Sequence, residues 1–248
     1  MVAQLQLQLV QSLRYSSNAY LVHRGVVELI ASLETLSYQR VFSLGYVQGA
    51  PRTGKTHLGV HLVGALTHKG RPARMVSREE MVEWFATEVR SQPLGYGETI
   101  VLDDGDVLLE EISRTNQSGI FMDLTEKLIQ VDGTLVILGS AAPDKIACTK
   151  QIQSRLNSGL FFGIDAPVDS ELAPLLDLIA KQRGFQLSES KKGFIVRRVS
   201  RTLPALVECI EKVEEPRGLS APCTSFNALS EAVGQQPEIA PSNDHKRA

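Results

Sequence analysis

The stretch Gly49-Ala50-Pro51-Arg52-Thr53-Gly54-Lys55-Thr56 follows the pattern G-x-x-x-x-G-K-[ST]. Glycines at these positions let the backbone bend so that successive N–H groups point at phosphate oxygens. The lysine then reaches the β- and γ-phosphates, and the hydroxyl of the last residue is a ligand for Mg²⁺. The spacing therefore predicts a phosphate-binding loop that holds a nucleotide.

The residues around this loop favour the same interpretation. An apolar run at residues 41–47 predicts a buried strand, and residues 57–68 predict a helix. At the start of such a helix, the dipole favours a bound anion. Lys55 and Thr56 are predicted to contact phosphate and metal. The other predicted nucleotide contacts near the loop are Gly49, Thr53, Gly54 and His57.

Strand and helix patterns alternate through the first 165 residues. Apolar runs predict strands at residues 73–76, 99–102, 135–138 and 160–164, and helical patterns occur at residues 77–89 and 120–130. This alternation predicts an α/β fold, with a parallel sheet that helices cover on both faces. Beyond Ala166 the apolar spacing is helical, at residues 170–182, 191–199, 202–215 and 226–233. We therefore expect a small helical second domain, followed by a disordered tail at residues 235–248.

Composition sets broad limits on function. The chain has 248 residues and a formal net charge of −2. Its overall charge therefore does not favour binding to DNA or to anionic membranes. No apolar run is long enough to span a bilayer, and the N-terminus lacks the features of a secretion signal. The three scattered cysteines match no metal-binding spacing. Together these observations favour reduced thiols in a cytoplasmic protein without a membrane partner.

Two acidic residues end the strand that begins at residue 99. Four apolar residues followed by Asp103-Asp104 form a Walker B pattern, about fifty residues after the phosphate loop. Asp103 would hold Mg²⁺ directly or through water, and Asp104 could orient or polarise an attacking water. The alternative is that the pair caps a helix or lies in a solvated turn.

Three further polar residues are candidates for the site. Ser140 follows the strand at residues 135–138 and could contact the γ-phosphate or its water, although an ordinary strand-end serine is an equal alternative. Arg155 could project into the nucleotide site of a neighbouring subunit, but a solvated helix-end arginine is the default. Arg201 precedes a predicted helix whose dipole opposes a cation there, and a bound phosphate would compensate it.

With these parts placed, residues 15–233 resemble the DnaA branch of the AAA+ ATPases. The strongest matches are Gly54 to Leu58, the two acids of the Walker B pattern, and the stretch Ser154-Arg155-Leu156. The resemblance implies a five-stranded parallel sheet, with ADP or ATP bound between it and a helical lid. It also implies that Arg155 is an arginine finger and that Arg201 is a sensor 2 arginine.

The chain departs from this family in the segment after the strand at residues 135–138, and it shows a further resemblance near its N-terminus. It has Ala141-Ala142 where the family usually carries an Asp-Arg pair, which puts sensing of the γ-phosphate in doubt. Near the N-terminus, the pattern Q-L-x-L-x-L resembles the peptide by which Hda-type DnaA paralogues bind the sliding clamp, the β subunit of DNA polymerase III. Its predicted contact residues are Gln4, Leu5, Leu7 and Leu9. An edge strand or a frayed terminus would show the same alternation, and Gln8 replaces a proline that is common there.

The resemblance implies a regulator of replication initiation. It would dock on the DNA-loaded clamp, pack against ATP-bound DnaA and stimulate hydrolysis by DnaA, while its own hydrolysis would be weak. Only about thirty residues follow the long lid helix, so DNA is expected to be contacted only through the clamp. The expected segments are residues 1–14 for the clamp peptide, 15–165 for the AAA+ domain, 166–234 for the lid and 235–248 for the tail. The alternatives are a helicase loader of the DnaC type, an ADP-locked adaptor and a metabolic P-loop kinase. A homo-oligomer is a further alternative to a complex with DnaA.

Overall fold

The computed structural model describes residues 22–77, 94–184, 186–214 and 226–234. Three expectations from the sequence therefore fall outside the described residues. They are the clamp peptide within residues 1–14, the helix after Ser77, and the tail at residues 235–248. The chain divides into two compact units between Asp165 and Ala166.

The described part of the first unit alternates strands and helices. Its elements in chain order are α1 (Arg24–Ser37), β1 (Ser43–Gln48), α2 (Lys55–His68), β2 (Ala73–Val76), β3 (Thr99–Leu102), α3 (Gly105–Arg114), α4 (Gly119–Gln130), β4 (Thr134–Gly139), a short 3₁₀ turn (Pro143–Lys145), α5 (Lys150–Asn157) and β5 (Leu160–Gly163). The strands form one five-stranded sheet in the order β2-β3-β4-β1-β5. Every neighbouring pair is parallel. This confirms the predicted α/β class with a five-stranded parallel sheet.

The central strands are buried on both faces of the sheet, which explains the continuous apolar runs at residues 100–102 of β3 and 135–138 of β4. Along β4, Leu135 and Ile137 pack into one core with residues of α3, α4 and α5. Val136 and Leu138, which alternate with them, pack into the opposite core with residues of α1 and α2. Because successive side chains of a strand point to opposite faces, a strand between two helical layers needs a continuous apolar run.

The second unit is helical, as the apolar spacing predicts. Its described elements are α6 (Asp169–Gln182), α7 (Glu189–Val196), α8 (Leu203–Glu214) and α9 (Phe226–Gly234). Fully buried leucine and isoleucine side chains from these helices form its interior, including Leu176, Ile195, Ile210 and Leu229. Gly184 follows α6 with φ of +82°, a left-handed backbone that suits glycine at a helix end.

Three helices of the first unit, α1, α3 and α5, lie outside the helical patterns that the sequence predicts, and one predicted strand differs in its burial. Helix α3 was not predicted, because it starts at Gly105 immediately after the acidic pair and its first turn carries Asp106. Strand β5 was predicted from an apolar run but lies at the edge of the sheet that the described strands form, where it pairs with β1. Leu160 and Phe161 are consequently about half exposed, at 55% and 51%.

Candidate phosphate-binding site

The glycine-rich loop connects the end of β1 to the start of α2. Gly54 adopts a left-handed backbone with φ of 89°, and its carbonyl accepts the N–H of Leu58 at 2.9 Å. Arg52 is also left-handed, with φ of 66°. A Cβ on Gly49 would lie only 2.6 Å from Thr53 Oγ1, so the close turn requires glycine there. The loop thus ends at a helix N-terminus, whose first N–H groups lack intrahelical partners and suit an anion.

Lys55 lies in the concave side of this loop and is only 7% exposed. Its ammonium donates hydrogen bonds to Gly49 O at 2.8 Å, Ala50 O at 3.1 Å and Ser140 Oγ at 3.0 Å. Burial lowers the pKa of Lys55, while the carboxylates of three nearby aspartates oppose that effect. The structure therefore brings together Lys55 and Ser140, two predicted site residues that lie on different strand–loop connections.

Thr56 and Asp103 form the predicted metal pair. The Thr56 hydroxyl donates to Asp103 Oδ2 at 2.7 Å. Asp103 Oδ1 is buried and has no hydrogen-bond partner among the described residues, and burial raises the pKa of this carboxyl. An uncompensated carboxylate oxygen beside a hydroxyl fits a hard cation such as Mg²⁺. Within the described ranges no group of three or more His, Cys, Asp or Glu residues could hold a metal ion.

Asp104 differs from its neighbour in exposure and in backbone. It is solvent-exposed, whereas Asp103 is half-buried. It stands at the N-cap of α3 with φ of 47°, and its carbonyl accepts the N–H of Leu108 at 3.1 Å. Asp104 therefore occupies the N-cap position, as the helix-capping alternative predicts. Its carboxylate makes no capping hydrogen bond, however, so capping does not account for an acidic side chain there. The role of Asp104 in orienting water remains a prediction.

Asp106 is a site residue that sequence reasoning missed. Its side chain is buried, and Oδ2 accepts the backbone N–H groups of Ser140 and Ala141, both at 2.8 Å. On the other side of the same loop, the Tyr46 hydroxyl donates to Ala141 O at 2.7 Å. Burial, together with the charge of Asp106, raises the pKa of Tyr46. The only sequence signal for Asp106 was its position three residues after Asp103, on a helix that was not predicted.

The other predicted site residues are His57 in α2, Arg155 in α5 and Arg201 in the second unit. His57 is half-buried in α2, and burial lowers its pKa. Arg155 lies in the last turn of α5, half-buried, and its guanidinium makes no hydrogen bond or ion pair within the described part of the chain. Arg201, in the second unit, forms an exposed ion pair with Asp169. Asp169 therefore supplies the negative charge that this arginine was expected to need.

The close packing at the end of β4 makes Gly139 sensitive to substitution. A Cβ there would lie 2.0 Å from the Tyr46 hydroxyl oxygen and 3.2 Å from Asp106 Cβ. We expect Gly139→Ala to lower the free energy of unfolding by about 1–3 kcal/mol, because a buried tyrosine must shift. Gly163→Ala is the matched control, since a Cβ on Gly163 meets nothing within 4 Å. Denaturant unfolding of both variants measures the difference, and equal stabilities would contradict the packing argument.

No family model matches the chain. A Haemophilus influenzae protein described as uncharacterized is 26% identical over 172 residues, which cover 68% of this chain and 72% of that protein. None of the described helices is both long and apolar enough to cross a membrane.

Solved structures match the fold over most of the chain. Domain III of the replication initiation protein DnaA from Thermotoga maritima is 16% identical, with a TM-score of 0.66, and the match covers 89% of this chain and 95% of that domain. A replication initiator DnaA bound to AMPPCP and single-stranded DNA is 15% identical, with a TM-score of 0.58 and coverage of 81% of this chain. This chain spans 65% of the length of that protein.

A similar fold occurs outside DnaA. The RuvB Holliday junction branch migration motor of Thermotoga maritima is 14% identical, with a TM-score of 0.53, and the match covers 90% of this chain and 72% of RuvB. At these identities the likeness concerns the fold rather than the activity. The chain therefore has the fold of the AAA+ domains of DnaA and RuvB.

Proposed function

We propose that the protein binds ADP or ATP with Mg²⁺ at the glycine-rich loop and regulates replication initiation by stimulating ATP hydrolysis in DnaA. The observation that carries the nucleotide part is the convergence of Lys55, Thr56, Asp103 and Ser140 at one end of a DnaA-like sheet. The regulatory part of the proposal rests on the sequence resemblance to Hda-type DnaA paralogues, and it assigns to this chain the mechanism that the resemblance implies.

The charges of the site support nucleotide binding. Lys55 supplies a buried ammonium within a turn of glycine-rich backbone, and Asp103 supplies a carboxylate oxygen without a partner among the described residues. A nucleotide would exchange the loop carbonyls for phosphate oxygens around Lys55, which are stronger partners for a cation. Bound Mg²⁺ would neutralise phosphate charge next to Thr56 and Asp103.

Arg155 supports an action on a partner's nucleotide. Its guanidinium has no hydrogen-bond or ion-pair partner among the described residues. A cation projecting from one AAA+ subunit into the site of the next can stabilise the charge that develops during phosphoryl transfer. This role would make the partner's site, rather than the glycine-rich loop of this chain, the place where hydrolysis matters.

The N-terminal peptide would supply the second contact, with the sliding clamp, and it lies outside the described residues. In an extended segment alternate side chains share a face, so Leu7 and Leu9 would enter apolar pockets while Gln6 and Gln8 point away. Two buried leucines contribute about 3–6 kcal/mol together.

We therefore expect the double substitution Leu7→Ala/Leu9→Ala to weaken clamp binding by at least about 100-fold. The matched control is Gln6→Ala/Gln8→Ala, which should bind nearly as the unchanged protein does. Surface plasmon resonance with immobilised clamp measures both. Equal affinities for the two double variants would exclude docking through this peptide.

The proposed function is tested by following hydrolysis of ATP on DnaA in the presence of clamp loaded on DNA. We expect hydrolysis to accelerate when the protein is added, and to need both the protein and the loaded clamp. No acceleration, together with co-purification of the replicative helicase, would favour a helicase loader instead. Acceleration that survives removal of Arg155 would favour an ADP-locked adaptor, for which Ala141-Ala142 is the supporting observation.

A further inference from the structure

The loop after β4 is held by residues from two other strand–helix connections. Asp106, in the first turn of α3, accepts two backbone N–H groups of this loop, and Tyr46 of β1 donates to Ala141 O. The loop presents Ser140, whose hydroxyl lies 3.0 Å from the Lys55 ammonium. We define residues 139–142 as the Ser140 loop.

We propose that Asp106 is a positioning residue, which fixes the Ser140 loop so that the site distinguishes ATP from ADP. The inference rests on the proposed nucleotide binding and adds a residue and a selectivity to it. Asp106 would not touch the nucleotide. It would act through the backbone amides of Ser140 and Ala141, and thereby through the Ser140 hydroxyl beside Lys55.

The composition of the Ser140 loop means that residues outside the loop must hold its conformation. Ala141 and Ala142 have no polar side-chain atoms, so the loop cannot fix its conformation through side-chain hydrogen bonds of its own at these positions. A carboxylate that accepts two N–H groups makes charge-assisted hydrogen bonds, which are the stronger kind. Asp106 also lies in the first turn of α3, where the helix dipole favours a negative charge.

The packing around Asp106 limits how far the loop can move. A Cβ on Gly105 would lie 2.4 Å from Ile137 Cγ2, so the start of α3 lies directly against β4. A Cβ on Gly139 would lie 3.2 Å from Asp106 Cβ. Since both approaches are close, the loop cannot shift toward α3 or Tyr46 without displacing them. The position of Ser140 is therefore coupled to Asp106 by packing as well as by hydrogen bonds.

The first experiment needs no nucleotide. Amide hydrogen exchange is measured for Ser140 and Ala141 in the unchanged protein, in Asp106→Ala and in Asp106→Asn. We expect these two amides to exchange at least about tenfold faster in Asp106→Ala, while the amide of Val136 in the middle of β4 is unaffected. Asp106→Asn keeps an oxygen acceptor and should restore most of the protection. Unchanged exchange in Asp106→Ala would overturn the inference.

The second experiment measures affinity for ATP and ADP with the same variants and with Ser140→Ala. We expect Ser140→Ala and Asp106→Ala each to lower the ratio of ATP to ADP affinity by about three- to tenfold, which corresponds to one hydrogen bond. The double variant should be no worse than Asp106→Ala alone, because both changes remove the same contact. A general loss of structure would instead weaken both nucleotides equally.

The outcomes separate this inference from the proposed function. Additive effects in the double variant, or no effect of Ser140→Ala on the ratio, would overturn the positioning role. If the unchanged protein bound neither nucleotide, the proposed function and the selectivity would both fail, while hydrogen exchange would still decide whether Asp106 holds the loop. Should Asp106→Ala fail to fold, Asp106→Ser replaces it, since a serine is too short to reach both amides.

Discussion

Replacing Lys55 with alanine is expected to lower the affinity of the protein for ATP by about 10- to 100-fold. A hydrogen bond to a charged group contributes about 1.5–3 kcal/mol, and the ammonium of Lys55 is placed to make such bonds with phosphate. In the structure it already occupies the concave side of the loop, where it donates to Gly49 O, Ala50 O and Ser140 Oγ.

Thermal unfolding gives an independent measure of this loss. A ligand at about 100 times its Kd stabilises the folded protein by about 2.7 kcal/mol, which corresponds to roughly 5–10 °C in Tm for a chain of this size. Lys55→Ala should lose most of that shift. The matched control is Lys69→Ala, at the other end of α2, where the ammonium pairs with Glu34 at 2.8 Å. Equal affinity for ATP in Lys55→Ala and the unchanged protein would place the nucleotide elsewhere.

Replacing Arg155 with alanine is expected to abolish the proposed stimulation of ATP hydrolysis on DnaA. An arginine finger supplied by a partner accelerates hydrolysis by about 10³–10⁵-fold where it acts fully, so its loss should return the rate to that of DnaA alone. The fold itself should tolerate the change, because no hydrogen bond or ion pair to the guanidinium was found among the described residues. Single-turnover hydrolysis of ATP on DnaA, with loaded clamp, measures the effect.

Two controls isolate the guanidinium. Lys150→Ala removes an exposed cation from the first turn of the same helix and should leave the stimulation intact. Arg155→Lys keeps the charge but loses the planar fork of donors, so we expect little recovery. Clamp binding should be equal in all three variants. A stimulated rate in Arg155→Ala equal to that of the unchanged protein would exclude the finger.

Local patterns were sufficient to predict the sheet and the residues of the two motifs. Most strand positions are apolar, and burial on both faces requires an apolar run in the interior of β3 and β4. The loop and the acidic pair were recognisable because their chemistry depends on spacing along the chain. The structure then places Thr56 beside Asp103 and Lys55 beside Ser140.

Long-range contacts could not be predicted in the same way. Asp106 and Ser140 are 34 residues apart, and Tyr46 and Ala141 are 95 residues apart. Neither pair leaves a periodic signal, because each depends on how the strands are ordered in the sheet. Helix α3 was missed for a local reason, since it begins at glycine, which has a low helix propensity. Without that helix, the sequence did not indicate to which side of the sheet the side chain of Asp106 points.

The left-handed backbone at Arg52 and Asp104 has a consequence for the lifetime of the protein. Residues other than glycine pay roughly 1–2 kcal/mol for this conformation, although aspartate tolerates it better. Both residues lie in the segments that form the candidate phosphate site, so this part of the fold carries conformational strain. A ligand that binds only the folded chain offsets this strain by raising the free energy of unfolding. A chain that lacks its ligand would open more often and reach proteases sooner, so its abundance in the cell would follow the supply of that ligand.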